Sequence, residues 1–218
     1  MTDSELVERT VAFVRDTLKG AEGGHDWFHT QRVFRNTLQI AREEPVDLLV
    51  VSLAALLHDI ADAKFHNGDE TAGPKKADAF LKTLPVADSV RKHVVQIVRH
   101  ISFKNSLEKG QGFESAELHV VRDADRLDAL GAIGIARAFN YGGFKNRPLY
   151  DPDIPPRTDL TKEAYKKSDG PTLNHFYEKL LLLKDRMHTA TGKELAEQRH
   201  AFLLQYLEQF YDEWNGRR

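Results

Sequence analysis

Histidine and aspartate recur in this chain in three short clusters that helical periodicity alone does not explain. They are His25-Asp26-x-x-His29, the adjacent pair His58-Asp59, and Asp123-Ala124-Asp125-Arg126-Leu127-Asp128. The adjacent pair ends an apolar run, Leu53-Ala54-Ala55-Leu56-Leu57, that belongs in a core. An ionised carboxylate in such a place is costly unless a cation or a hydrogen-bonding partner compensates it. A core histidine bonded to a helix-capping aspartate is one solution, and a shared metal ion is another. Imidazole nitrogens with carboxylate oxygens make a shell that suits manganese, iron, magnesium or zinc, and disfavours calcium. The chain has no cysteine, which excludes structural disulfides and every thiolate zinc site.

Such a shell needs rigid elements to carry it, and the apolar pattern supplies helices. Leu6, Val7, Val11, Phe13, Val14 and Leu18 mark a first amphipathic helix closing near Gly20 and Gly23-Gly24. A second helix, through Phe28, Val33, Phe34, Leu38 and Ile40, ends before Pro45 and begins beside His29. The third, about 46–60, is apolar on nearly every side and is the expected centre of the fold, with His58-Asp59 at its end. Helices are expected from Pro74 to Leu84, after Pro85 through Ile101, and as one or two segments across 116–141, where Gly131 and Gly134 permit a break. Two more are expected at 173–187 and from Thr191 to about Trp214, the latter read from the capping-box spacing Thr191-x-x-Glu194. No strand pattern, internal repeat or low-complexity tract interrupts this series.

The expected fold class is therefore all-α, a single bundle of about eight helices over residues 1–218. Its metal-binding core would span about 24–144, a Gly-, Pro-, Asp- and Lys-rich mobile loop about 142–170, and a C-terminal helical buttress 171–215. A formal net charge of −2 gives no support to nucleic-acid binding. The N-terminus, Met1-Thr2-Asp3-Ser4-Glu5, is acidic and polar, without the pattern of a secretory signal, and no apolar run is long enough to span a bilayer. A cytoplasmic protein is the expectation.

In this order and combination the motifs resemble the HD superfamily of metal-dependent phosphohydrolases, whose pattern is His, then His-Asp, then a distant Asp. The resemblance runs over about 24–144 and implies metal ligands His29, His58, Asp59 and Asp125, with Asp125 singled out from Asp123 and Asp128 by the segment Ala124-Asp125-Arg126-Leu127. The longer stretches 25–33, 57–62 and 123–134 are similar to a bacterial subgroup of small stand-alone proteins, some of them like nucleotide pyrophosphohydrolases. The resemblance implies an all-helical HD bundle holding one divalent ion, with manganese favoured. It also implies a small-molecule phosphate substrate, most readily a nucleoside triphosphate that releases pyrophosphate. Phosphomonoester and phosphodiester cleavage need the same metal chemistry, in which a metal-bound water attacks phosphorus. The second histidine pair and Gly-Tyr-Pro signature of the cyclic-dinucleotide branch are missing, and no residues remain for the synthetase module that alarmone hydrolases usually carry.

Phosphate also needs a proton acceptor and cations. Asp62, one helical turn beyond the His-Asp pair, is a candidate general base, with a plain capping aspartate as the other reading. Lys64 and Lys104 are candidate point charges for phosphate or else solvated loop lysines, while Ser102 and His100 could donate to substrate or exchange a proton. Arg126 could bind phosphate or brace a ligand, and Arg32 is the better candidate for bracing a carboxylate. The segment 140–147 offers aromatic rings and cations to a nucleotide, or is simply a helix exit. His93 reads as a surface residue. Set against the enzyme are a non-catalytic nucleotide-binding regulatory module and a helical scaffold in which these residues are structural.

Overall fold

A computed structural model describes residues 1–21, 24–61, 69, 71–101, 112–157 and 170–217. Among these residues the structure is all-helical, as the periodicity implies, with nine α-helices, two 3-10 turns and no strand. It divides into two compact units, Met1–Asp125 and Arg126–Arg218.

The first unit holds α1 (Asp3–Thr17), α2 (Trp27–Ile40), α3 (Leu48–Leu57), α4 (Ala72–Leu81), α5 (Asp88–His100) and most of α6 (Ala116–Leu127). Its centre is α3, in which every residue from Val50 to Leu57 is buried. That burial accounts for the run's apolar character on all sides, and a Leu→Ala change within it would cost about 2–5 kcal/mol. Asp47 starts α3 by accepting from the Leu49 and Val50 N–H groups at 2.9 and 3.1 Å. The helices α1, α2 and α5 pack around α3, and α4 lies on α5. Phe13 of α1 stacks on Phe80 of α4 with ring centroids 3.9 Å apart. Two polar ties fix α6: the Asn36 amide donates to the Ala124 carbonyl at 3.3 Å, and the Asp47 N–H donates to Glu117 at 3.2 Å.

The second unit contains α7 (Gly131–Phe144), α8 (Asn174–Glu178), 3-10 turns at Leu180–Leu182 and Lys184–Arg186, and the 25-residue α9 (Ala190–Trp214). Gly131 opens α7 at φ +66°, in the left-handed region that favours glycine. Asp128, buried in this turn, accepts from Arg137 at 2.8 Å.

Three local expectations need correction. The segment expected as one helix over 173–187 is a single helical turn followed by two 3-10 turns, broken at Lys179, whose backbone sits at φ −144°, ψ −56°. The last helix is capped by Thr189, whose hydroxyl accepts from the Gly192 N–H at 3.0 Å, so residues 190 and 191 are already helical. Residues 142–144, assigned to the loop, complete α7; its end is turned by Asn146 at φ 53° and by the Arg147 N–H donating to the Gly142 carbonyl. No described helix is long and apolar enough to cross a membrane.

Candidate metal centre

Three local devices at helix ends in the first unit bring histidine and carboxylate atoms together. Asp26, extended at φ −85°, ψ 178°, caps α2 by accepting from the His29 N–H at 2.9 Å. This puts His29 in the first helical turn, where it is 1% exposed, and leaves His25 just outside the helix. At the far end of α3 the ladder tightens: the Ile60 N–H bonds to Leu57 rather than continuing the α-helix to residue 60 as expected. His58 thereby becomes the C-cap, and Asp59 turns out of the helix beside it. Asp125 comes from the last part of α6, whose first turn is set by the Ser115 hydroxyl accepting from Leu118 at 3.1 Å.

The resulting cluster is small. His29 Nε2 lies 3.2 Å from His58 Nε2, 3.6 Å from Asp125 Oδ1 and 3.8 Å from Asp59 Oδ2. His58 Nε2 is 3.8 Å from Asp125 Oδ1. Bonds of about 2.1 Å to one ion place neighbouring donor atoms roughly 3.0–3.5 Å apart, so this spacing is close to that of a shared cation. His58 Nδ1–H donates to the Ala55 carbonyl at 2.8 Å, which leaves Nε2 as the lone-pair nitrogen facing His29. Two imidazole nitrogens and the carboxylates grouped here are the donor set that a divalent ion takes. His29, His58 and Asp125 form one group able to hold a metal ion, and His25, His29 and Asp59 form an overlapping one.

Burial alone pushes the Asp59 carboxyl up. The charge and hydrogen bond of His25, then the charges of His58 and His29, overcome burial and hold it well below the usual carboxylate range. Asp59 is thus kept in its ionised, ligand-competent form.

Of the three aspartates in the 123–128 segment, Asp125 alone belongs to a group of ligand atoms; Asp123 is fully buried and Asp128 is bound by Arg137. The residues expected to act on substrate are distributed differently. Asp62, Lys64, Ser102 and Lys104 lie outside the described residues. His100 ends α5 with Nδ1–H donating to the Gln96 carbonyl at 2.9 Å and its ring 5.8 Å from Phe113. It is in neither ligand group. Arg126 is 6% exposed and donates to the Arg186 carbonyl, a bond within the second unit. His93, read as a surface residue, is half-buried against Ser115 at 3.0 Å and Glu117 at 3.5 Å. In the 140–147 segment Lys145 lies over the rings of Tyr141 and Phe144, and Arg147 over Tyr141.

One residue of the cluster had no role from sequence. His25 Nδ1 lies 2.5 Å from Asp59 Oδ2. The recurrence His25-Asp26-x-x-His29 was the signal available, and it placed both histidines at the start of the second helix without indicating a partner for His25.

Comparison with known proteins shows the family. The HD domain profile matches residues 27–130. The uncharacterized protein YpgQ of Bacillus subtilis is 36% identical over 209 residues, covering 96% of this chain and 94% of its own. The crystal structure of an HD-superfamily hydrolase from Bacillus thuringiensis superposes with a TM-score of 0.77 at 44% identity, covering 98% of this chain and 99% of that one. The crystal structure of Bacillus subtilis YpgQ in complex with ADP superposes with a TM-score of 0.77 at 35% identity, covering 98% and 97%.

Proposed function

The chain belongs to the HD-domain superfamily, and from that premise we propose that it is a metal-dependent phosphohydrolase acting on nucleotides. The observation that carries the reading is the approach of the buried His29 and His58 and the partly exposed Asp125 to ligand distance in one cluster, with an ionised Asp59 beside them. These four residues would hold one divalent ion, manganese being the favoured choice. When bound, the ion supplies Lewis acidity toward a phosphoryl oxygen and lowers the pKa of a coordinated water.

The chain's own residues do the rest. His58, locked by the Ala55 carbonyl, presents a fixed nitrogen, and the N-cap at Asp26 fixes the His29 backbone. Asp62 takes the proton from the attacking water. Lys64 and Lys104 balance charge on the phosphate oxygens, Ser102 donates a hydrogen bond to them, and His100, with Nδ1–H committed to Gln96, offers Nε2 to the substrate. Arg126 is left out of this constellation, because its buried guanidinium serves the Arg186 carbonyl. A nucleotide is the favoured substrate because a relative of the same fold and length binds ADP. A nucleoside triphosphate with pyrophosphate release is the form expected from the motif resemblance.

The test is a panel of nucleoside tri-, di- and monophosphates with manganese, magnesium or cobalt, with products scored as phosphate or pyrophosphate. Turnover of triphosphates to pyrophosphate supports the specific reading, and phosphate release moves it to another bond of the same class. Metal-loaded protein that binds nucleotides yet hydrolyses none would make it a regulatory binding module. Asp62→Asn should keep its metal and lose turnover by about 10²–10⁴-fold, the scale of a general base; wild-type turnover would reject that role.

A further inference from the structure

His25 contributes the shortest polar contact of the cluster, and the superfamily pattern assigns it no part. It stands at the residue before the N-cap of α2, so its place is set by the Asp26–His29 cap and not by helical periodicity. From there its Nδ1 reaches Asp59 Oδ2 at 2.5 Å across 34 residues of sequence. Both side chains are largely shielded, at 21% and 15% exposure, so water competes weakly for the contact. An ionised carboxylate only accepts, hence the Nδ1 of His25 carries the proton. The same Oδ2 faces His29 Nε2 at 3.8 Å, so the bond from His25 fixes the rotation of the carboxylate relative to the buried histidines.

We propose that His25 is a positioning residue that orients Asp59 by donating a hydrogen bond from Nδ1, and does not ligate the metal itself. This rests on the metal-centre reading above. A carboxylate on a turn beyond a helix end has free χ torsions, and a single charge-assisted hydrogen bond removes most of that freedom. Bonds of this kind to ligand side chains are commonly worth 10–100-fold in metal affinity.

The experiment titrates Mn²⁺ into metal-free, tag-free protein and reads free Mn²⁺ by electron paramagnetic resonance, for the wild type, His25→Ala and His25→Asn. The Asn amide nitrogen occupies nearly the place of Nδ1 and restores the donor without restoring an imidazole. The expected result is a 10–100-fold weaker Kd for His25→Ala and a Kd within about threefold of wild type for His25→Asn, because only the donated bond is required. Far-ultraviolet circular dichroism first checks that each protein is helical. If His25→Ala does not fold, His25→Gln, which shifts the donor toward the place of Nε2, serves as the loss variant. Wild-type affinity in the loss variant would overturn the proposal. Equal weakening in the loss variant and His25→Asn would also overturn it, showing that the ring itself is needed as a ligand. If the wild type binds no divalent ion, the metal-centre reading fails first, an outcome distinct from the other two.

Discussion

Replacing Arg137 with methionine removes the cation from a carboxylate that has almost no access to water. Asp128 Oδ2 is 2.8 Å from Arg137 Nη1, which also reaches the Asp128 backbone carbonyl at 3.2 Å. The Asp128 side chain is 2% exposed and that of Arg137 21%. Breaking a buried pair by deleting one partner typically costs about 3–5 kcal/mol, because the remaining charge is stranded. Two features lower that figure here: the Arg137 end of the pair is partly hydrated, and Arg199 also interacts favourably with Asp128. The expected loss for Arg137→Met is therefore about 2–4 kcal/mol, or roughly 5–15 °C in Tm for a chain of this size. Methionine keeps the packed stem, so the change isolates the charge. Urea unfolding followed by circular dichroism measures the loss, and metal analysis accompanies it. Since the metal cluster lies within Met1–Asp125, metal content should not change. A variant within about 0.5 kcal/mol of wild type would refute the structural role of Asp128, and a stable variant without metal would make Asp128 part of the centre.

A Cβ at Gly134 would overlap the backbone carbonyl of Ala129, which cannot rotate aside, so Gly134→Ala should destabilise by about 1–3 kcal/mol by urea unfolding despite alanine's better helix propensity. Acid should separate metal loss from unfolding. The depressed pKa of Asp59 means its ionised form adds stability that is complete above the unfolded carboxylate range near pH ~4, and is lost only as pH falls through its lower folded value. Metal ligands bind only in their deprotonated forms, so on acidification bound Mn²⁺ should be released while the helical signal persists. Coincident loss of metal and helix would contradict this order.

The helices around the centre were legible because their signals are local and redundant. The core helix α3 is apolar on every face, which only a buried helix satisfies, and it ends where His58-Asp59 interrupts it. Elsewhere one signal hid another. Leu180 to Leu183 carry no Gly or Pro to announce a break, yet the chain turns there in two 3-10 segments because the break lies in the backbone of Lys179. Thr191 and Glu194 have capping-box spacing, but Thr189 reaches the Gly192 N–H first. At the centre, residue types and spacing indicate which side chains to bring together but not which nitrogen faces which oxygen. The bond from His25 to Asp59 depends on the chain direction entering α2, set by the Asp26 cap. Arg126 was open to two readings, phosphate binding or the bracing of a ligand; its buried guanidinium donates instead to the Arg186 carbonyl, a partner 60 residues away that no local pattern announces.

Metal content of tag-free protein bears most directly on the central claim. Wild type and His58→Ala would be reconstituted with Mn²⁺, freed of excess ion and analysed by mass spectrometry of the elements alongside protein concentration. The geometry of His29, His58, Asp59 and Asp125 predicts near-stoichiometric metal in the wild type and its loss in His58→Ala, together with loss of all hydrolysis. Full metal content in His58→Ala, or a wild type that retains no divalent ion, would contradict it.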